Sequence, residues 1–190
     1  MPGTETVRIA VAADHNGIAL KARLVAWLRA HGHDTDDRGA HRHGEVVDYP
    51  PLCADACRRV VDGSADRAIV IGGSGHGEVI ACNKIRGVRA GLCRDLWGAE
   101  ISRGNNDSNV LVLGAKVVPP QLAEQILATW LATPFKGDVH QRRLDQIAAL
   151  ERGEDLARQP HPPLGSAGGS RAPGSGATSA CERPAGEPQS

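Results

Sequence analysis

Short, mostly apolar runs alternate along the chain with longer stretches in which apolar residues return every three or four positions. The runs at 7–12 (VRIAVA), 67–71 (RAIVI), 88–92 (VRAGL) and 109–113 (NVLVL) read as strands. A further strand at 33–38 is short and polar. Ile18, Leu20, Leu24, Val25, Trp27 and Leu28 share one side of a helix over 18–30, which His31-Gly32 ends. Other helices are expected over 51–62 after Asp48-Tyr49-Pro50, from the glycines at 72–77 to about Ile85, over 94–103, over 120–132 and over 138–151. Strands that are apolar at successive positions, alternating with helices, predict a five-stranded parallel α/β sheet with helices on both faces.

In such sheets ligands collect beyond the C-terminal ends of the strands. Four strand ends carry polar or glycine-rich sets: Asp14-His15, Gly72 to Glu78, Cys93-Arg94-Asp95 and Gly114-Ala115-Lys116. They are expected to converge on one mouth.

Composition narrows the function. With 190 residues and 41% hydrophobic types, the chain can build one domain of about 150 residues. It is assigned to residues 7–151, after a flexible start at 1–6. Residues 157–190 are rich in Pro, Gly, Ser and Ala, hold no Val, Ile or Phe, and read as a disordered tail. Zero net charge and 3% aromatics speak against nucleic acid as a partner. No run of 18 apolar residues suggests a membrane span, and the N-terminus lacks the pattern of a signal peptide. Five cysteines without a CxxC pair read as reduced thiols in a cytoplasmic protein.

The sequence RAIVIGGSGHGEVIACNK at 67–84 carries the chemistry. A glycine-rich turn between a strand and a helix presents backbone N–H groups to an anion or a developing oxyanion. Glu78 stands on the first turn of the helix that follows. This suits a sugar phosphate whose carbon acid must lose a proton: Glu78 as the base, Ser74 and the amides of Gly75, His76 and Gly77 holding the enediolate oxygens, and Gly73 among the substrate-binding residues of the turn. Glu78 could equally satisfy the free amides of its own helix. His76 is expected to line the pocket. Asp14 and Tyr49 are candidates for sugar contacts, His15 for a phosphate or a sugar oxygen, and Lys116, Arg142 and Arg143 for phosphate contacts. Asn105, Asn106, Asp107 and Asn109 form a polar cluster before the fifth strand and could simply make turns. His31, His33, His41 and His43 lack the fixed geometry of a metal site, so no metal is expected. GGSGHG is not GxGxxG after the first strand, and no GxxxxGK[ST] is present, so no nucleotide cofactor is expected either.

Taken together, VAADHNGIALK, DYP, GGSGHGEVIACNKIRGVRAG, SRGNNDSNVLVLGAKVV and HQRRLDQI resemble, in the same order, the ribose-5-phosphate isomerase B family, which includes galactose-6-phosphate isomerase subunits. The resemblance covers about residues 7–150. It implies a Rossmann-like three-layer sandwich and aldose–ketose isomerisation through a cis-enediol, without metal or cofactor. It also implies homodimers or tetramers whose active sites are lined by two subunits. Some members carry a cysteine base where this chain has Gly72; others carry a glutamate four residues after the turn Ser or Thr, as Glu78 follows Ser74. Asp14, His15, Tyr49, Ser74, Asn106 and Arg143 match active-site positions.

Three departures concern the substrate end. Asn105 replaces a histidine credited with opening the furanose ring. Lys116 replaces an arginine of the phosphate site, which keeps the charge but loses the fork. Val139 replaces another arginine outright. A four-carbon 4-phosphate sugar cannot close a furanose ring and needs no ring opener. The expected substrate pair is therefore of the ribose 5-phosphate/ribulose 5-phosphate type, with D-erythrulose 4-phosphate/D-erythrose 4-phosphate as the alternative. A non-catalytic sugar-phosphate-binding homologue is the alternative of another class.

Overall fold

The structure is a computed structural model that describes residues 6–42 and 44–158. Of the flexible start expected at 1–6 and the disordered tail expected at 157–190, residues 1–5 and 159–190 lie outside the described residues, as does His43, and the tail's first two residues belong to a short 3-10 turn, Leu156–Arg158. Five strands, β1 (Arg8–Ala13), β2 (Asp34–Gly39), β3 (Arg67–Gly72), β4 (Ala90–Leu92) and β5 (Val110–Gly114), form one parallel sheet in the order β2-β1-β3-β5-β4. Among the described residues six α-helices connect and follow them: α1 (Ile18–Ala30), α2 (Tyr49–Val61), α3 (His76–Cys82), α4 (Leu96–Gly104), α5 (Pro120–Ala132) and α6 (Val139–Glu151). The expected α/β class and parallel sheet are found.

Side chains alternate across the sheet, and the two faces differ in size. Ile9, Val11, Ile69, Ile71, Leu111 and Leu113 pack against α1, α4 and α5, with Leu24, Leu127 and Trp130 in the same core. Ala10, Ala12, Ala68, Val70, Val110 and Val112 face α2 and α3, which answer with Cys53, Ala56, Cys57 and Cys82. Small residues on both sides of that second layer let α2 and α3 sit close to the sheet.

Side-chain hydrogen bonds set several element ends away from where periodicity put them. The third helix stops at Cys82 rather than near Ile85. Asn83 leaves it to bond β4 instead: its Nδ2 donates to the Ala90 carbonyl (3.0 Å) and its Oδ1 accepts the Ala90 N–H (2.9 Å). β4 begins at Ala90 rather than at 88, because Asn109 takes the Arg89 N–H (2.8 Å) and donates to the Gly87 carbonyl (2.9 Å). α4 begins at Leu96, with Asp95 Oδ1 accepting the Gly98 N–H at 2.6 Å as an N-cap. α2 starts earlier than expected, at Tyr49, since Pro50 and Pro51 are tolerated in a first turn that needs no amide donors.

A buried polar network holds the segment before β5. Ser108 Oγ accepts from Trp130 Nε1 (2.8 Å) and from Ser102 Oγ (2.7 Å), and Arg103 Nη1 donates to the Ser108 carbonyl (2.7 Å). Ser108→Ala leaves two buried donors unmatched. Urea unfolding should record a loss of about 1–3 kcal/mol.

Candidate active site

β1 and β3 are neighbours, with β2 beyond β1 and β5 beyond β3. The chain leaves β1 for one face of the sheet and β3 for the other, which opens a crevice at their C-terminal ends. The loop after β1 forms one wall. Asp14 is buried there, and its Oδ1 accepts the N–H groups of Asn16 (2.8 Å) and Gly17 (3.2 Å) while Oδ2 accepts Asn16 Nδ2 (2.9 Å). Its carboxylate spends these bonds on its own loop and so positions His15 and Asn16. The Val47 N–H lies 3.4 Å from His15 Nδ1, and Asn16 Nδ2 lies 3.2 Å from His15 Nε2. A neutral imidazole has one acceptor nitrogen, so only one of these contacts is a hydrogen bond.

The glycine turn after β3 forms the opposite wall. Gly75 has φ +83°, a left-handed conformation that admits the strand-to-helix turn without a Cβ penalty. Ser74 Oγ accepts the His76 N–H at 3.3 Å. That amide, expected to face a ligand with its neighbours, is therefore taken within the turn. The amides of Gly75 and Gly77 have no partner among the described residues.

Glu78 is 4% exposed. A Cβ placed on Gly72 would overlap its carboxyl group, so the carboxylate lies directly over the last residue of β3. Among the described residues no hydrogen bond or ion pair engages it. Tyr49 closes over the turn from α2: a Cβ on Gly77 would stand 2.6 Å from its Cζ and Oη. A Cβ on Gly114 would stand 2.6 Å from the Ser74 carbonyl oxygen. Lys116 is tied to the same place, its N–H donating to the Gly73 carbonyl at 3.0 Å.

Two residues join this site that the sequence reading did not assign to it. Asn16 lies against Gly73, with Nδ2 3.4 Å from where a Cβ would be. Arg94 Nη2 donates to His76 Nε2 at 2.7 Å. Arg94 belonged to a polar strand end, but nothing in the sequence paired it with a histidine eighteen positions earlier in the chain. Through these contacts the four strand ends meet.

Asn105, Asn106 and Arg143 do not join them in the single chain. Asn105 caps α4 and precedes β5, so it stands at the N-terminal end of the sheet, roughly 15 Å of strand away. Its Oδ1 is buried without a partner among the described residues. Asn106 lines a cleft of about 210 Å³ with Leu144 and Ile147 of α6, the helix that carries Arg143.

Residues 9–147 match the model of the Ribose/Galactose Isomerase family. The chain belongs to that family. Among relatives in it, ribose-5-phosphate isomerase B of Escherichia coli K12 is 39% identical over 145 residues, 76% of this chain and 97% of that protein. D-erythrulose-4-phosphate isomerase of Pectobacterium atrosepticum is 33% identical over 146 residues, 77% of this chain and 96% of the relative. The solved ribose-5-phosphate isomerase B of Clostridium thermocellum superposes with a TM-score of 0.75 at 39% identity, covering 77% of this chain and 98% of that one. The family fold thus extends over every loop of the crevice.

Gly72→Ala tests the placement of the carboxylate. Its added methyl should drive the Glu78 side chain into another rotamer in a crystal structure. Because only the end of a flexible side chain is displaced, stability should change by no more than about 1 kcal/mol.

Proposed function

We propose that the chain interconverts a phosphorylated aldose and ketose of the ribose 5-phosphate/ribulose 5-phosphate type through a cis-enediolate. The observation that carries this reading is the buried, unengaged carboxylate of Glu78 over the end of β3, beside the unpartnered amides of Gly75 and Gly77. Family membership supports it. Glu78 removes the C2 proton of the open-chain aldose as charge moves onto O1. Ser74 and the two amides hold that oxygen. The carboxyl then returns the proton to C1 while the O2 hydroxyl proton passes to O1, which leaves the ketose. His15, Tyr49 and Asn16 face the hydroxyl groups, and Lys116 takes the phosphate charge.

One chain supplies only part of this machinery. The far placement of Asn105, Asn106 and Arg143 is what a shared site requires: in a homodimer or tetramer these residues of one copy serve Glu78 of another. Four buried free thiols, Cys53, Cys57, Cys82 and Cys93, fit a reducing, cytoplasmic setting.

Glu78→Gln should lower kcat by about 10²- to 10⁴-fold while sugar-phosphate binding, read by calorimetry, persists. Loss of binding together with turnover would point instead to a structural role, and unchanged turnover would remove Glu78 as the base. Failure of the unaltered protein to turn over any sugar phosphate that it binds would favour the non-catalytic reading.

A specific observation favours a second substrate. Asn105 cannot shuttle the ring-opening proton, and Val139 brings no charge to the phosphate. A tetrose 4-phosphate needs no ring opening, and a relative of the chain is named for D-erythrulose 4-phosphate. Measured kcat/KM for ribose 5-phosphate and for D-erythrose 4-phosphate decides between the two. The tetrose reading expects the larger value for erythrose 4-phosphate, and the reverse order eliminates it.

A further inference from the structure

A second cleft, of about 400 Å³, opens at the other end of the sheet, where β1 and β3 begin. That volume lies in the range of small-molecule sites. Trp27 of α1 and Ala128 and Leu131 of α5 give it apolar walls. Trp27 stacks on His31 with ring centroids 3.8 Å apart, which widens the flat surface. Its other polar groups are His33 and Arg67.

Arg67 is the unusual member. Its guanidinium sits 5.3 Å over the Trp130 ring, beside Arg103 at 5.7 Å from the same ring. Its Nη1 is buried and has no hydrogen-bond partner among the described residues. Two carboxylates act on it electrostatically, and neither bonds it. Asp66 is held by Arg8 at 2.6 Å, and Asp107 bridges Arg89 at 2.9 Å and Arg103 at 2.7 Å. Burial and the Arg103 charge both lower the pKa of Arg67, as expected for a cation that lacks an anion. A half-buried guanidinium without an acceptor is costly, and its five donors in a planar fork match a carboxylate.

His33 adds a neutral donor. The Val7 N–H lies 3.4 Å from its Nδ1, which leaves the ring proton on Nε2. Burial, and then the nearby His31, lower its pKa and favour that uncharged form.

We propose that this cleft binds a small organic carboxylate with a flat apolar body, the carboxylate on Arg67 and His33 and the body against Trp27 and Leu131. The site is separate from the Glu78 crevice. Arg67 begins the strand that ends at Gly72, so the two lie about 16 Å apart along β3.

Calorimetric titration of the full chain with 2-naphthoate, 2-naphthol and acetate tests this. Naphthoate should bind, with naphthol and acetate weaker by about tenfold or more. Arg67→Met, which keeps packing on Trp130, should weaken naphthoate binding by a similar factor. Ala128→Phe should do the same by filling the cleft without touching Arg67, and it decides alone if Arg67→Met fails to fold. Saturating ribose 5-phosphate should leave the binding unchanged. Absence of naphthoate binding, equal affinity for naphthol, wild-type affinity in either folded variant, or displacement by ribose 5-phosphate would each overturn the proposal.

Discussion

The candidate site depends on atoms approaching the end of β3 more closely than a side chain there would permit. Gly72 leaves room for the Glu78 carboxylate, Gly77 for the Tyr49 ring, and Gly114 for the Ser74 carbonyl. Gly72 and Gly114 are also register partners on adjacent strands, so the gap is continuous across the sheet edge. A methyl group at any of the three positions would force a neighbour to move. A side chain at residue 72 and the Glu78 carboxylate would claim one volume.

The same economy of side chains shapes the layer behind the turn. Ala10, Ala12, Ala68 and Val70 on the sheet, and Cys53, Ala56, Cys57 and Cys82 on α2 and α3, leave little bulk between helix and strand. Tyr49 at the start of α2 and Glu78 at the start of α3 are carried on two helices that pack together against this thin layer. The opposite face holds the larger Ile, Leu and Trp side chains and gives the sheet its main core. Rigid seating of both helices fixes the phenol and the carboxylate relative to the turn, which is what positioned acid–base chemistry needs.

The charge distribution along β3 is uneven in a useful way. Among the described residues, an unengaged carboxylate with free amides beside it stands at its C-terminal end, and a guanidinium without an acceptor at its N-terminal end. Other charged side chains near the sheet ends are paired, among them Arg8–Asp66, Arg103–Asp107 and Lys21–Asp37. Groups left unpaired at a partly buried position are expensive to keep.

Much of this was legible before any coordinates. The class, the four apolar strands, the glycine turn and the place of Glu78 on the helix after it follow from apolar patterning and from turn chemistry, which are properties of residues close together in the chain. Helix ends were less legible. Asn83 and Asn109 each bond the backbone of another element or loop, seven and 22 positions away, and periodicity carries no trace of such bonds. Asn16 and Arg94 escaped for the same reason, since their partners Gly73 and His76 lie on another element. The alternation of helix and strand does say that a segment after a helix and before a strand sits at the N-terminal end of a parallel sheet, which separates Asn105 and Asn106 from Glu78. The strand order, the contact of Glu78 with Gly72 and the isolation of Arg67 were decided only by the tertiary structure. They arise where elements distant in the chain pack together, and the space left between two packed elements is not a property of either one alone.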